Sequence, residues 1–184
     1  MKFIGIDLAG NPKNETGFCT LEIVDENKKT VSTSILHSDF DIIEKIRKTA
    51  PALIALDAPL TYSGINRRCD EELASYGALP VTLRGMEVLA KRGTNLAAQL
   101  RSENYKCIEV YAKASSKILG FHDKSEKETQ RRMLESSITG DTERRMLSKD
   151  EIDAVSCALT AYLHSVGATD EIGDESGKIT IPKV

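Results

Sequence analysis

Apolar positions along the 184-residue chain change their period several times. Phe3 to Leu8 is a short apolar run with Asp7 near its end, Thr16 to Val24 alternates around Phe18 and Leu21, and Thr30 to Leu36 is rich in β-branched residues. These segments predict three strands. Gly10-Asn11-Pro12 with Asn14 marks a turn after the first, and Asp25-Glu26-Asn27 marks one after the second, so an antiparallel meander is expected. Asp39 is suited to cap a helix that buries Ile42, Ile43 and Ile46 and stops after Ala50 at Pro51. Ala52-Leu53-Ile54-Ala55-Leu56-Asp57 is apolar without alternation, the pattern of a strand covered on both faces, as in a parallel sheet.

Residues 61 to 102 read as helical in two pieces, about Arg67 to Tyr76 and about Leu83 to Arg101, with Met86, Leu89, Gly93, Leu96 and Leu100 at helical spacing in the second. Lys106 to Tyr111 predicts a fifth strand, with Ile108 and Val110 on one face and Cys107, Glu109 and Tyr111 on the other. Helices are expected near Ala114 to Leu119 and Lys124 to Ser136. The last long helix has the clearest start: Ser148 and Glu151 form a capping box, Ile152, Val155, Ser156, Leu159 and Leu163 give its buried stripe, and Gly167 ends it. Ile179-Thr180-Ile181 suggests a small terminal strand. The order fits an α/β fold: a mixed five-stranded sheet flanked by helices, with a helical insertion at about 61–102 after the fourth strand. No repeat or linker divides residues 1–184, so one domain is expected.

Composition narrows the class. A chain of this size can bury roughly 70% of the surface its unfolded form exposes, and 40% hydrophobic with 29% charged residues is ordinary for a globule. The start reaches Asp7 too early for the apolar core of a signal peptide, and no run approaches the roughly 20 apolar residues of a membrane span. The expected address is the cytoplasm. Cys19, Cys69, Cys107 and Cys157 have no C-x-x-C spacing and read as reduced, mostly buried thiols. The net charge of −3 is unevenly spread: residues 111 to 149 carry nine Lys/Arg against six Asp/Glu, and residues 150 to 184 carry two against seven. A basic middle permits a polyanionic partner without requiring one.

The carboxylates carry the chemistry. Asp7 and Asp57 each stand at the carboxyl end of a buried strand and before a turn. In parallel neighbours both would emerge at one sheet edge, where open α/β sheets bind ligands. Mutual repulsion there raises their pKa unless a cation intervenes, which favours a bound metal. Taken alone, each could simply bond the turn that follows. Asp150 suits the first turn of the last helix through its dipole, whereas Asp153 lies beside the buried stripe and needs a partner.

Strand-end Asp7, strand-end Asp57 and Asp150-x-x-Asp153-Ala154 after a β-β-β-α-β start resemble the ribonuclease H-like fold in its RuvC-like branch. More narrowly, Gly5-Ile6-Asp7-Leu8-Ala9, Leu56-Asp57-Ala58-Pro59-Leu60, Arg68-Cys69-Asp70, Glu109-Val110-Tyr111 and Asp153-Ala154 are similar to the domain-of-unknown-function 429 family, described as predicted nucleases. Ala112 departs from that pattern, standing where the family usually has Pro. The resemblance spans nearly the whole chain and carries fold better than substrate.

It implies a nuclease that hydrolyses phosphodiester bonds of nucleic acid with Mg²⁺ or Mn²⁺. Asp7 would bridge the ions, Asp57 and Asp153 would complete the catalytic set, Asp150 would support it, and Glu109 is a further metal candidate or the partner of an arginine. Arg67, Arg68 and Asp70 could orient a phosphate, or form a solvated helix start with Arg68 paired to Glu72. Tyr62 and Tyr111 are candidates for base stacking or for ordinary half-burial. His37, His122 and His164 have no mutual ligand spacing and receive no role. Two other functions fit the same pattern: an actin- or sugar-kinase-like phosphotransferase, which usually needs two such domains, and a non-catalytic binding module.

Overall fold

The structure is a computed structural model that describes residues 1–25 and 28–183. Three strands open it, β1 (Lys2–Asp7), β2 (Thr16–Asp25) and β3 (Lys28–Leu36), followed by helix α1 (Asp39–Thr49) and strand β4 (Leu53–Asp57). The insertion holds α2 (Arg68–Glu72), a 3₁₀ turn at Ala74–Tyr76 and α3 (Arg84–Ser102). Then come β5 (Cys107–Glu109), α4 (Ala112–Ile118), α5 (Glu126–Glu135), β6 (Ile138–Gly140), α6 (Asp141–Arg144), α7 (Lys149–Ser165) and a hairpin of β7 (Thr169–Asp174) with β8 (Gly177–Pro182).

The main sheet has six strands in the order β5-β4-β1-β2-β3-β6, one more than expected. The addition is β6, parallel to β3 at the far edge. With only Ile138-Thr139-Gly140 it is too short to show a period. The antiparallel meander of β1, β2 and β3 and the parallel pairing of β4 with β1 are as expected. The turn expected at Asp25-Glu26-Asn27 falls on Glu26 and Asn27, outside the described residues. The cap of α1 is Ser38, not Asp39: Ser38 Oγ accepts from the Asp41 N–H at 3.1 Å, and Asp39 is the first helical residue.

Alternation along the strands makes two cores. Phe3, Cys19, Leu21, Leu53 and Ala55 pack beneath α7, while Ile4, Ile6, Phe18, Ile54 and Leu56 face α1 and α3. Each large apolar side chain so buried contributes roughly 1.5–3 kcal/mol. The α7 contact is backbone-close because two glycines lie under it. A Cβ at Gly5 would stand 2.0 Å from the Ala154 carbonyl oxygen, and one at Gly17 would stand 1.9 Å from that of Asp150. Gly17 pairs directly with Asp7 across β1 and β2, so this packing sets the first turns of α7 over the end of β1.

All four cysteines are free; Cys19, Cys69 and Cys157 are buried and Cys107 is half-buried. Among the described residues no helix is long and apolar enough to cross a membrane.

Candidate metal centre

Asp7 and Asp57 are register partners in the parallel pair β1 and β4. Alternation puts both on the α7 face, above Gly5 and Ala55. The turn after Asp7 is fixed from two sides: Ala9 N–H donates to Thr16 Oγ1 at 3.1 Å, and Arg92 of α3 donates to the Ala9 and His37 carbonyls at 2.6 and 2.7 Å. After Asp57, Gly93 of α3 lets that helix approach the Pro59 carbonyl, where a Cβ would come within 2.5 Å.

Helix α7 brings the third carboxylate. Ser148 Oγ accepts from Glu151 N–H, and Ser148 N–H donates to Glu151 Oε2 at 3.0 Å, closing the expected capping box. The same Glu151 carboxylate accepts from Arg145 and from Thr33 Oγ1 at 2.9 Å, tying the helix start to β3. One turn in, Asp153 meets Lys149 at 3.4 Å and shares a cleft of about 480 Å³ with Asp7 and Asp57. Asp150 does not line that cleft, although its charge reaches Asp7.

Electrostatics single out the trio. Burial, then the charges of Asp57, Asp153 and Asp150, pushes the Asp7 carboxyl well above the usual carboxylate range, with Lys149 opposing. Burial and Asp153 lift Asp57 to about 7, against a hydrogen bond from the Ala112 N–H, with the more distant Glu109 adding to the rise. Asp153 is raised by burial and partly held down by Lys149 and His122. Tyr111 in the same cleft is pushed up to about 12 by burial and by Asp57 and Asp153, so it keeps its proton at neutral pH. Ala112, the position that departs from the family pattern, begins α4 and supplies the N–H that a proline would lack.

The other sequence candidates lie apart. Glu109 pairs in register with Leu56 and so faces α3, on the opposite side of the sheet from Asp57. Its oxygens accept from Leu60 N–H at 2.7 Å and from Arg67 Nη1 and Nη2 at 2.9 and 2.7 Å. Arg67 is 1% exposed and also donates to Asp70 Oδ2 and Oδ1 at 3.0 and 2.7 Å and to Thr61 Oγ1 at 3.3 Å. Every N–H donor of the guanidinium is thereby matched. Arg67 and Asp70 are thus structural partners of Glu109, with nothing left to hold a substrate phosphate. Arg68 is exposed and pairs with Glu72 at 2.6 Å. Cys69, Asp70 and Glu109 do offer ligand atoms within 4.8 Å of one another, but Arg67 occupies their centre and burial pushes the Cys69 thiol up to about 12. That cluster is built for a guanidinium.

Sequence reasoning gave no role to His122, Lys113 or Lys124, which also line the cleft. The segment between β5 and α5 folds back over the aspartates, a return that no local pattern encodes. The basic excess of residues 111 to 149 was its only trace.

The family model described as a protein of unknown function, DUF429, matches residues 5–177. No curated protein matches the chain in sequence. Among solved structures, RuvC of Thermus thermophilus aligns at a TM-score of 0.57 with 13% identity, covering 91% of this chain and 97% of that one. The T. thermophilus RuvC complex with a Holliday junction substrate aligns at 0.55 with 13% identity, covering 97% and 98%. The fold is therefore RuvC-like, in the ribonuclease H-like class.

Proposed function

The chain belongs to the DUF429 family, and we propose that it is a divalent-metal-dependent nuclease in which Asp7, Asp57 and Asp153 hold Mg²⁺ or Mn²⁺, supported by Asp150. The observation that carries this reading is the pairing of Asp7 with Asp57 in parallel register beneath Asp153. Asp7, Asp57 and Asp153 share a cleft whose other two carboxylates are Glu126 and Asp123, the latter paired with Arg132, and the groups that offset the charge of the three are the Lys149 ammonium, His122 and a single backbone N–H. Hard oxygen ligands with a shortage of positive charge fit a hard divalent cation. Glu109, neutralised by Arg67, leaves the ligand set.

A divalent cation bound there supplies Lewis acidity toward a phosphodiester and lowers the pKa of water. The protein's own groups do the rest. Asp7 feels the charges of both Asp57 and Asp153, and a cation held by all three would relieve that repulsion. Lys149 steadies Asp153 and, with Lys113 and Lys124, offers the cleft ammonium groups for a phosphodiester backbone. Tyr111 offers a hydroxyl proton beside Asp57 and Asp153. Nucleic acid as the partner is supported by the similar fold of T. thermophilus RuvC, solved with a Holliday junction.

The test combines a metal-binding and a cleavage readout. Mn²⁺ at 100 times its dissociation constant should stabilise the protein by about 2.7 kcal/mol, a rise in Tm of roughly 5–10 °C for a chain of this size. Single-stranded and duplex DNA and RNA are then offered with Mn²⁺. Asp7→Asn should lose both the thermal shift and the cleavage. An intact substrate panel together with an unmoved Tm would overturn the reading.

A further inference from the structure

The paired aspartates stand between two cavities of opposite character. On the α7 side lies the cleft with Lys113, Lys124 and Lys149. On the α3 side is a slot of about 180 Å³ that shares Asp7, Asp57 and Tyr111 with the cleft; the mutually paired Arg67, Asp70 and Glu109 reach it, and the rest of its wall is apolar, with Leu8, Leu79, Met86, Leu89 and Ile179 among the lining groups. Met86 and Leu89, three residues apart, project from the first turns of α3, and the backbone at Leu89 is seated against Gly10 after β1. Leu79 is 52% exposed, and neither it nor Met86 belongs to a core cluster. The core accounts for Leu8, Leu89 and Ile179 but not for Leu79 and Met86, two apolar side chains at the rim of a charged site.

We propose that this slot is a nucleobase subsite, and that the substrate is single-stranded or locally unpaired nucleic acid. The inference rests on the nuclease reading for its reaction, but the slot has its own chemistry. The slot's one cation is Arg67, whose donors are all engaged by Asp70, Glu109 and Thr61, so a phosphate finds no partner there. At about 180 Å³ it is smaller than the roughly 300–1,000 Å³ pockets of drug-sized ligands and suits one flat ring system. A nucleotide has the matching polarity, with an anionic group for the lysine side and an aromatic ring for the apolar side. With the aspartates between, the bond presented to them is the phosphodiester next to the seated base. A base can enter only after leaving its stack, which an intact duplex resists and a single strand permits.

Calorimetric titration of the full chain in Mg²⁺ with deoxyadenosine 5′-monophosphate and with deoxyribose 5-phosphate tests the slot without any turnover. The mononucleotide should bind at least about tenfold more tightly, in line with base–aromatic and base–apolar contact energies. Met86→Trp, which fills the slot, and Leu79→Asp, at an exposed position that leaves folding intact, should each remove that difference while keeping the Mn²⁺ thermal shift. Oligonucleotide cleavage should be about tenfold faster on a single strand than on its duplex. Equal affinity for the two ligands, including no measurable binding of either, overturns the subsite; so does a preference that survives both variants, which would leave the slot to an apolar side chain of a protein partner. A preference for the mononucleotide with no oligonucleotide cleaved would keep the slot and defeat the nuclease reading alone.

Discussion

A carboxylate buried without enough donors weakens the fold unless it is protonated or meets a cation, and Asp57 shows the sign of the effect. Its folded pKa, about 7, lies above the ordinary value near 4. Between those values the native state binds more protons at Asp57 than the unfolded one, so the Asp57 contribution to stability without metal falls as pH rises from about 4 to about 7 and levels off above, with Asp7 and Asp153, also raised, acting in the same direction. Asp57→Asn removes this share of the dependence. In metal-free buffer at pH 8 the variant should melt above the parent, and at pH 4.5 the two should nearly coincide, as followed by circular dichroism. A variant less stable at pH 8 would show that the charge on Asp57 is already well compensated. Asp7 and Asp57 were legible in the sequence because a strand end followed by a turn is a local pattern. The fate of Glu109 and Arg67 was not. It depends on which face β5 presents once paired with β4, and on a guanidinium finding two carboxylates, one of them 42 residues away in sequence.

At the level of elements, the site is made by seating α7 on β1 and β2. The capping box at Ser148 and Glu151 announces where the helix starts, and the sequence states it openly. Where the helix sits is decided by Gly5 and Gly17, which in the sequence look like weak points of two strands. Their purpose appears only when α7, more than 130 residues later, lies across them. The same distance hid β6, whose three residues are held by β3, and β7, whose Asp, Glu and Gly content masks a hairpin partner for β8. Gly17→Ala tests the seating. Its methyl would meet the Asp150 carbonyl, forcing α7 to lift at a cost of about 1–3 kcal/mol or more, read as a lower urea midpoint. Because the lift also carries Asp153 away from Asp7, Mn²⁺ affinity should weaken by more than in Leu159→Ala, a loss of buried packing further along the helix. Equal metal affinity in the two variants would separate the seating of α7 from the carboxylate cluster.

Across the whole molecule the net charge is −3, which repels a polyanion in general, so any attraction has to be local. The three cleft lysines, Lys113, Lys124 and Lys149, come from α4, the segment before α5 and the start of α7, and the fold gathers them around one cleft. A second basic group, Lys2, Lys45 and Lys48, lies on the α1 side of the sheet in a separate depression. Equilibrium binding of a labelled single strand to Asp7→Asn, measured over a range of salt, distinguishes the two. With about three phosphates neutralised, log K against log salt should fall with a slope near −2, from roughly −0.7 per contact on single strands. Lys124→Ala should flatten that slope by about 0.7, whereas Lys48→Ala should leave it unchanged. If Lys48→Ala flattens it instead, nucleic acid approaches from the face away from the aspartates, and the cleft lysines have no part in drawing the substrate to Asp7 and Asp57.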